Sequence, residues 1–309
     1  MRNLLFLVVI FSITSCTSYQ EIPSSLDDWD HEETPPNGIK ISNYFYCDQS
    51  EITNFHWQEY LFWTQRTYGK NSNEYKNALL KDAVWALKDT SLAKYDDYYL
   101  YHHAYRDYPL VGVSQQQAID YSKWRSDRVF EYLLVKYEII EYDTVQRRDN
   151  HFSIERYFNG EIKKLNPDKE LYFYPEFRLP TLQERAIILS HSDSLEKAYD
   201  ERCRTKKCSE CLDEVRSIWC GIHQNEFGVW DVGTTIHSDF NCTPKKGDLM
   251  YNLRGNVAEW TSENTISVGG SWKDSLVQIL QSDTTTVIQP NAWTGFRNVC
   301  EWKEWKKDH

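Results

Sequence analysis

The residues best suited to chemistry in this 309-residue chain are its cysteines. Four of them, Cys203-x4-Cys208-x2-Cys211-x8-Cys220, fall close enough together to hold a soft metal through thiolates or to form disulfide staples. A zinc ribbon would carry a second Cys-x-x-Cys, which is missing, so the spacing favours disulfides among Cys203, Cys208, Cys211, Cys220 and Cys242. Histidine is the other possible ligand or general base. His102-His103 sit among Tyr99, Tyr101 and Tyr105, which points to aromatic packing or hydrogen bonding; His151, His191 and His223 are scattered. No His-x-x-x-His pair, no Ser elbow and no Gly-rich phosphate loop occurs.

The start of the chain bears on which cysteine chemistry is available. Residues 1–15 carry Arg2, the apolar run Leu4 to Phe11 and the small pair Thr14-Ser15 before Cys16, the pattern of a secretory signal. Ile13-Thr-Ser-Cys16 resembles a bacterial lipobox, which would make Cys16 the site of lipidation. Several acyl chains on one cysteine, at about 0.8 kcal/mol per buried methylene, would hold the protein on a membrane. Seven cysteines then remain of eight, an odd number that leaves at least one thiol outside any internal bridge.

Composition narrows the partners. A net charge of -11 with no basic stripe excludes nucleic acid, since binding to phosphate backbones needs clustered Lys and Arg. Aromatic residues make up 15% of the chain, with 12 Trp and 21 Tyr, which implies a core built from large rings.

The elements that would position these residues are visible in part. Residues 16–39, rich in Ser, Pro, Asp and Glu and without period, read as a flexible tether, and the folded domain is expected over 40–305. Ser114 with Gln117, and Thr181 with Glu184, form capping boxes that start two helices, the first stapled by Val113 against Ala118. Segment 127–150, which continues the helix from Ser114 as a charged stretch with Phe130, Leu133, Leu134 and Tyr137 and runs out into polar residues from Asp143 to Asn150, is expected to be an exposed insertion. Residues 266–300 read as short strands and turns. Arg178 and Arg297 are candidates for buried guanidinia, with Glu184 and Glu259 as partners.

Four blocks in order carry a family resemblance. They are Phe45-Tyr-Cys-Asp-Gln-Ser-Glu-Ile-Thr-Asn54; Tyr108-Pro-Leu-Val-Gly-Val-Ser114; Arg178-Leu-Pro-Thr181; and the trio Gly255-Asn-Val-Ala-Glu-Trp260, Gly269-Gly-Ser-Trp272, Gly295-Phe-Arg297. Together they resemble the formylglycine-generating, or sulfatase-modifying factor, family. More narrowly, His103-Ala-Tyr-Arg-Asp-Tyr-Pro109, Trp124-Arg-Ser-Asp-Arg128 and Gly269-Gly-Ser-Trp272-Lys-Asp274 look like the branch found among lipoproteins of gliding motility and type IX secretion.

The resemblance implies a single α+β domain of the irregular, loop-rich, C-type-lectin-like kind, with short helices and antiparallel strands. It also implies a pair of copper(I)-binding cysteines five positions apart after the Gly-Gly-Ser-aromatic block. Here Asp274 and Ile279 stand at those positions, and neither can replace a thiolate. Asn256 and Glu259 match family positions that contribute to a calcium site. The expectation is a membrane-anchored lipoprotein with a catalytically degenerate domain, facing the periplasm from the outer membrane and binding other envelope proteins. The alternatives are a metal-dependent oxidoreductase of divergent chemistry and a glycan-binding module with tryptophan platforms.

Overall fold

The computed structural model describes residues 22–81, 83–88, 90–205, 222–224, 230–232 and 250–306. Its strands are β1 (Gly38–Ser42), β2 (Phe45–Asp48), β3 (Phe173–Arg178), β4 (Ile222–Gln224), β5 (Trp230–Val232), β6 (Ala258–Trp260), β7 (Ile266–Val268), β8 (Thr284–Thr286), β9 (Thr294–Gly295) and β10 (Val299–Glu304). The helices are α1 (Leu26–Glu32), α2 (Asn54–Tyr68), α3 (Asn73–Ala78), α4 (Lys94–Tyr98), α5 (Gln115–Lys136), α6 (Ile154–Phe158), α7 (Leu182–Thr205) and α8 (Leu276–Gln281). The architecture is α+β, as expected, although α5 and α7 run to 22 and 24 residues.

One sheet has the order β1-β2-β10-β3 and is antiparallel throughout. A second has the order β8-β7-β6-β9, in which β6 and β9 pair in parallel. The C-terminal strand β10 thus lies between the two early strands and β3, which ties the ends of the domain together. The short strands β4 and β5 pair only with each other among the described residues.

Both expected capping boxes form. Gln117 N–H donates to Ser114 Oγ at 3.2 Å and Gln117 Oε1 accepts from Ser114 N at 2.9 Å; Thr181 and Glu184 do the same at 3.1 and 2.9 Å. Another box, at the start of α2, uses an imidazole: Thr53 Oγ1 accepts from His56 N while His56 Nδ1 accepts from Thr53 N.

Two expectations about order are corrected. The stretch given as a tether is folded from residue 22. Ser25 caps α1, and Trp29, fully buried, meets the rings of Tyr137, Phe173 and Trp302 at 5.4, 6.1 and 5.6 Å. One ring of this size buries enough apolar surface to dock a helix that is otherwise acidic. Glu33 is buried too and accepts from Tyr137 Oη at 2.6 Å.

The segment 127–150 is likewise no simple insertion. Phe130, Leu133, Leu134, Tyr137, Ile139 and Ile140 belong to the same buried cluster as Trp29. The charges that suggested exposure neutralise one another. Arg128 donates to Glu131 at 2.6 Å and to Gln146 at 3.0 Å, and Gln146 donates back to Glu131 at 2.5 Å. A polar pattern that pairs internally is compatible with burial.

Candidate functional site

The three C-terminal glycine blocks meet around a buried ionic cluster. Glycine is required where they fold over one another. A Cβ at Gly269 (φ +90) would lie 2.8 Å from Leu253 O, and one at Gly270 (φ +65) would lie 2.8 Å from Ile279 Cγ1.

Beneath these turns Arg297 Nε donates to Glu259 Oε1 at 2.6 Å, and its other nitrogens donate to the carbonyls of Asp48 at 3.0 Å and Tyr251 at 2.6 Å. A second buried guanidinium, Arg185, stands 3.7 Å from Glu259 Oε2 and donates to Leu253 O. Glu51, fully buried, accepts from Asn256 Nδ2 at 2.8 Å. Burial is the main force on Glu51; it outweighs the pull of Arg297 and, with Glu259 also raising it, pushes the carboxyl up to about 8.

The expected pair Arg297 and Glu259 is therefore present, and so is Arg178 with Glu184, a bidentate contact at 2.8 and 2.7 Å. Glu51 and Arg185 escaped the sequence reading. Both sit in the matched blocks or close to them, but nothing in their spacing shows that they converge on Glu259.

The calcium expectation at Asn256 and Glu259 does not fit this geometry. The Glu259 carboxylate is already faced by two guanidinia, and Asn256 spends its amide N–H on Glu51. A divalent cation at that point would meet two fixed positive charges and a carboxyl that holds its proton near neutrality. Among the described residues no group of three or more His, Cys, Asp or Glu is placed to hold a metal.

The positions that match the family's copper ligands have other tasks. Asp274 Oδ2 accepts from Ser271 N and Oγ at 2.9 and 2.7 Å, and its Oδ1 pairs with Lys273 at 2.8 Å, so it closes the turn after Gly270. Ile279 is buried and fills the space beside Gly270. A carboxylate tied into a turn and a branched alkyl chain do not fit copper(I).

The two thiols among the described side chains do not make up for them. Cys47 on β2 and Cys300 on β10 are free and buried; Cys300 lies opposite Tyr46, and Cys47 opposite Val299. Because side chains alternate along a strand, this one-residue offset sends the two sulfurs to opposite faces of the sheet. Cys47 packs with Ile188 and Met250, whereas Cys300 packs with Trp29 and Trp302. Burial pushes the Cys47 thiol up to about 12 and Cys300 well above its ordinary value. Cys16, Cys208, Cys211, Cys220 and Cys242 lie outside the described residues, as does the side chain of Cys203 on α7.

Among the described residues the histidines do not converge. His102 and His103 are exposed, with their rings stacked at 4.4 Å, and His102 Nδ1 accepts from Ala104 N. His151 Nε2 lies 3.1 Å from Tyr68 Oη and Nδ1 lies 2.9 Å from Arg148 O, so the ring donates from Nδ1 and accepts the phenol at Nε2. His56 was missed because a histidine three residues after a threonine is not an obvious capping box. Its imidazole is lowered to about 4, first by burial and then by Arg125.

Residues 16–302 match the Sulfatase-modifying factor enzyme 1-like domain, and the chain belongs to that family. The chain is similar to the crystal structure of CarF, at 16% identity over 83% of this chain and 86% of that one, with a TM-score of 0.40. It is also similar to Treponema denticola variable protein 1, at 17% identity over 83% and 84%, with a TM-score of 0.35. No curated protein matches it. No helix among the described residues is long and apolar enough to cross a membrane.

Proposed function

We propose that this chain is a cell-envelope lipoprotein, held through Cys16 at the outer membrane and facing the periplasm, whose domain has lost the family's thiol oxidation and serves as a binding and scaffold component. The observation that carries this reading is the fate of the two ligand positions. Asp274 closes a turn and Ile279 packs on Gly270, and no second thiol lies on the same face of the sheet as Cys47 or Cys300 among the described residues. Copper(I) oxidation of a peptide cysteine needs two soft ligands at one point.

What remains is a rigid frame. Arg297, Arg185, Glu259 and Glu51 lock the glycine turns together without leaving a reactive group exposed. The likeness of His103-Ala-Tyr-Arg-Asp-Tyr-Pro109 and Trp124-Arg-Ser-Asp-Arg128 to gliding and type IX secretion lipoproteins supports envelope proteins of that machinery as partners.

Two measurements on the full chain test the proposal. Purified protein loaded with copper(I) and supplied with oxygen and a cysteine peptide should leave the thiol intact; conversion to an aldehyde would overturn the loss of chemistry. Metabolic labelling with a fatty acid should mark the wild type and not Cys16→Ser; equal label in both would overturn the anchor.

A further inference from the structure

Away from the C-terminal blocks, a cleft of about 1200 Å³ opens between α2, α5 and β3, and neither the ionic cluster nor the copper positions line it. It exceeds the roughly 300–1,000 Å³ of most small-molecule sites, so it has room for a length of chain. Its aromatic rings shape the walls but are already engaged. The Arg128 guanidinium lies over Trp63 at 4.6 Å, that of Arg148 over Tyr68 at 5.3 Å, and Phe158 stacks on Trp305 at 4.3 Å.

What the cleft leaves unanswered is negative charge. Five acids and three bases line it. Much of this cancels: Arg178 is held by Glu184, Arg156 by Glu161, Glu74 by Arg148 and Glu176 by Lys303. Asp120, Asp127 and Glu155 form no ion pair, and among the lining residues only Lys123 stands unpaired against them. Asp120 accepts a neutral amide N–H from Gln116 at 2.9 Å, and Asp127 Oδ1 the backbone N–H of Ile154 at 2.8 Å, which leaves their charge unmatched.

The three acids form a row. Asp120 and Asp127 are two turns apart on α5, about 10 Å along its axis, so they share one stripe of the helix. Glu155 stands in the first turn of α6, close enough to oppose the ionisation of Asp127. Burial is the main force on Asp127 and, with Glu155 adding to it against the pull of the Ile154 N–H, Arg128 and Lys123, pushes the carboxyl up to about 6.

Such a row suits a cationic chain better than a single ion. No group of three or more His, Cys, Asp or Glu converges to hold a metal among the described residues. About 10 Å is the length that three residues of extended chain cover, so basic side chains at that interval would meet the two α5 carboxylates in turn. Ile119, 42% exposed beside Asp120, offers the same chain an apolar contact. At the β3 edge the Phe177 N–H is taken by Ser126 Oγ at 2.8 Å and Pro175 has no N–H, so recognition falls to side chains rather than to strand pairing.

We infer that the cleft between α2, α5 and β3 docks an extended basic segment of a partner protein, whose arginine or lysine side chains, about three residues apart, are held by Asp120, Asp127 and Glu155. Charge complementarity selects this occupant over an acidic or neutral one. The inference deepens the binding role proposed above and rests on that part of it alone, not on the lipid anchor or the lost chemistry.

Titration calorimetry of the full chain with a peptide of three Arg-Leu-Ala repeats tests it, with the Glu-Leu-Ala counterpart and spermine run alongside. The arginine peptide should bind with a Kd on the order of 0.1 mM, and Asp120→Asn, Asp127→Asn and Glu155→Gln combined should weaken it by about tenfold or more. Asparagine keeps the Oδ1 acceptor for Ile154, and Asp120 and Glu155 are exposed, so this variant retains the fold. Glu32→Gln, Asp97→Asn and Asp168→Asn combined remove the same charge at exposed positions outside the cleft and should leave the affinity within about twofold. No binding of the arginine peptide, binding of the glutamate peptide as tight or tighter, spermine bound as tightly as the arginine peptide, or a cleft variant no weaker than the control variant would overturn the assignment. Each of these results would leave the Cys16 labelling and the copper assay to stand or fall separately.

Discussion

Arg297 and Glu259 lie 2.6 Å apart with each side chain 1% exposed, and they join β6 to the segment leading into β10. This ion pair is the point at which the first and last blocks of the chain are fastened, because the same guanidinium also holds the carbonyls of Asp48 and Tyr251.

Removing one member should therefore be costly. Arg297→Leu leaves Glu259 facing only Arg185 at 3.7 Å and frees two buried carbonyls. Breaking a buried pair from one side costs about 3–5 kcal/mol. Urea unfolding of Arg297→Leu should show a loss in that range, and a change below about 1 kcal/mol would mean the pair is dispensable.

A pH dependence follows from Glu51 and His56, and they act in opposite directions. Glu51 is raised to about 8 in the folded state, above the ordinary carboxyl value of about 4.5. The folded protein then binds more protons, so the stability that Glu51 contributes is present below about 4.5 and declines as pH rises through about 8. His56 is lowered to about 4 from 6.5, so its contribution is present above 6.5 and declines as pH falls through about 4. Between about 4.5 and 6.5 the two slopes offset each other. From 6.5 to 8 Glu51 acts alone, at up to about 1.4 kcal/mol per pH unit. Chemical denaturation between pH 6 and 9 should show this decline in the wild type and a flatter profile in Glu51→Gln; parallel profiles would sink the assignment.

How much of this was legible in the sequence depends on the range of the interaction. Ser114 with Gln117 and Thr181 with Glu184 are three residues apart, and their capping boxes could be read directly. The pairs Arg178 with Glu184 and Arg297 with Glu259 followed from residue type within the matched blocks. Trp29 could not be recovered, because its partners Tyr137, Phe173 and Trp302 lie more than a hundred residues away and its neighbours are acidic. Segment 127–150 misled for a related reason. Its charges look solvated one by one, and only the convergence of Arg128, Glu131 and Gln146 shows that they compensate one another. The calcium expectation meets a difficulty of the same kind, since Asn256 and Glu259 are the right residue types but Arg185 and Arg297 occupy their field.

The buried thiols should be inert. Cys47 is raised to about 12 and Cys300 well above its ordinary value, both by burial, so thiolate is scarce at pH 8. Native protein treated with iodoacetamide at that pH should carry no label on either residue by peptide mapping, and unfolded protein should carry both. A Cys47 to Cys300 disulfide, recovered from native protein without reduction, would contradict their placement on opposite faces of the sheet.

A close backbone approach at β9 makes the sharpest prediction about the fold. At Gly295, on β9, an added Cβ would lie 2.3 Å from the carbonyl oxygen of Leu110 and 3.1 Å from Val257 Cγ2. The first of these is backbone, which cannot rotate aside, and Leu110 N is itself fixed by a hydrogen bond to Ile52 O at 2.8 Å. Gly295→Ala must move either β9 or the 108–111 segment. Both belong to blocks that the ionic cluster and α2 hold in place. Overpacking of a close-packed core costs about 1–3 kcal/mol and more where the backbone must shift, so the expected loss lies at or above the top of that range. Gly160→Ala makes the control, because an added Cβ there meets nothing within 4 Å although φ is +76. Thermal melts of the two variants should place Gly295→Ala well below Gly160→Ala. Equal midpoints would show that β9 does not pack against Leu110 as described.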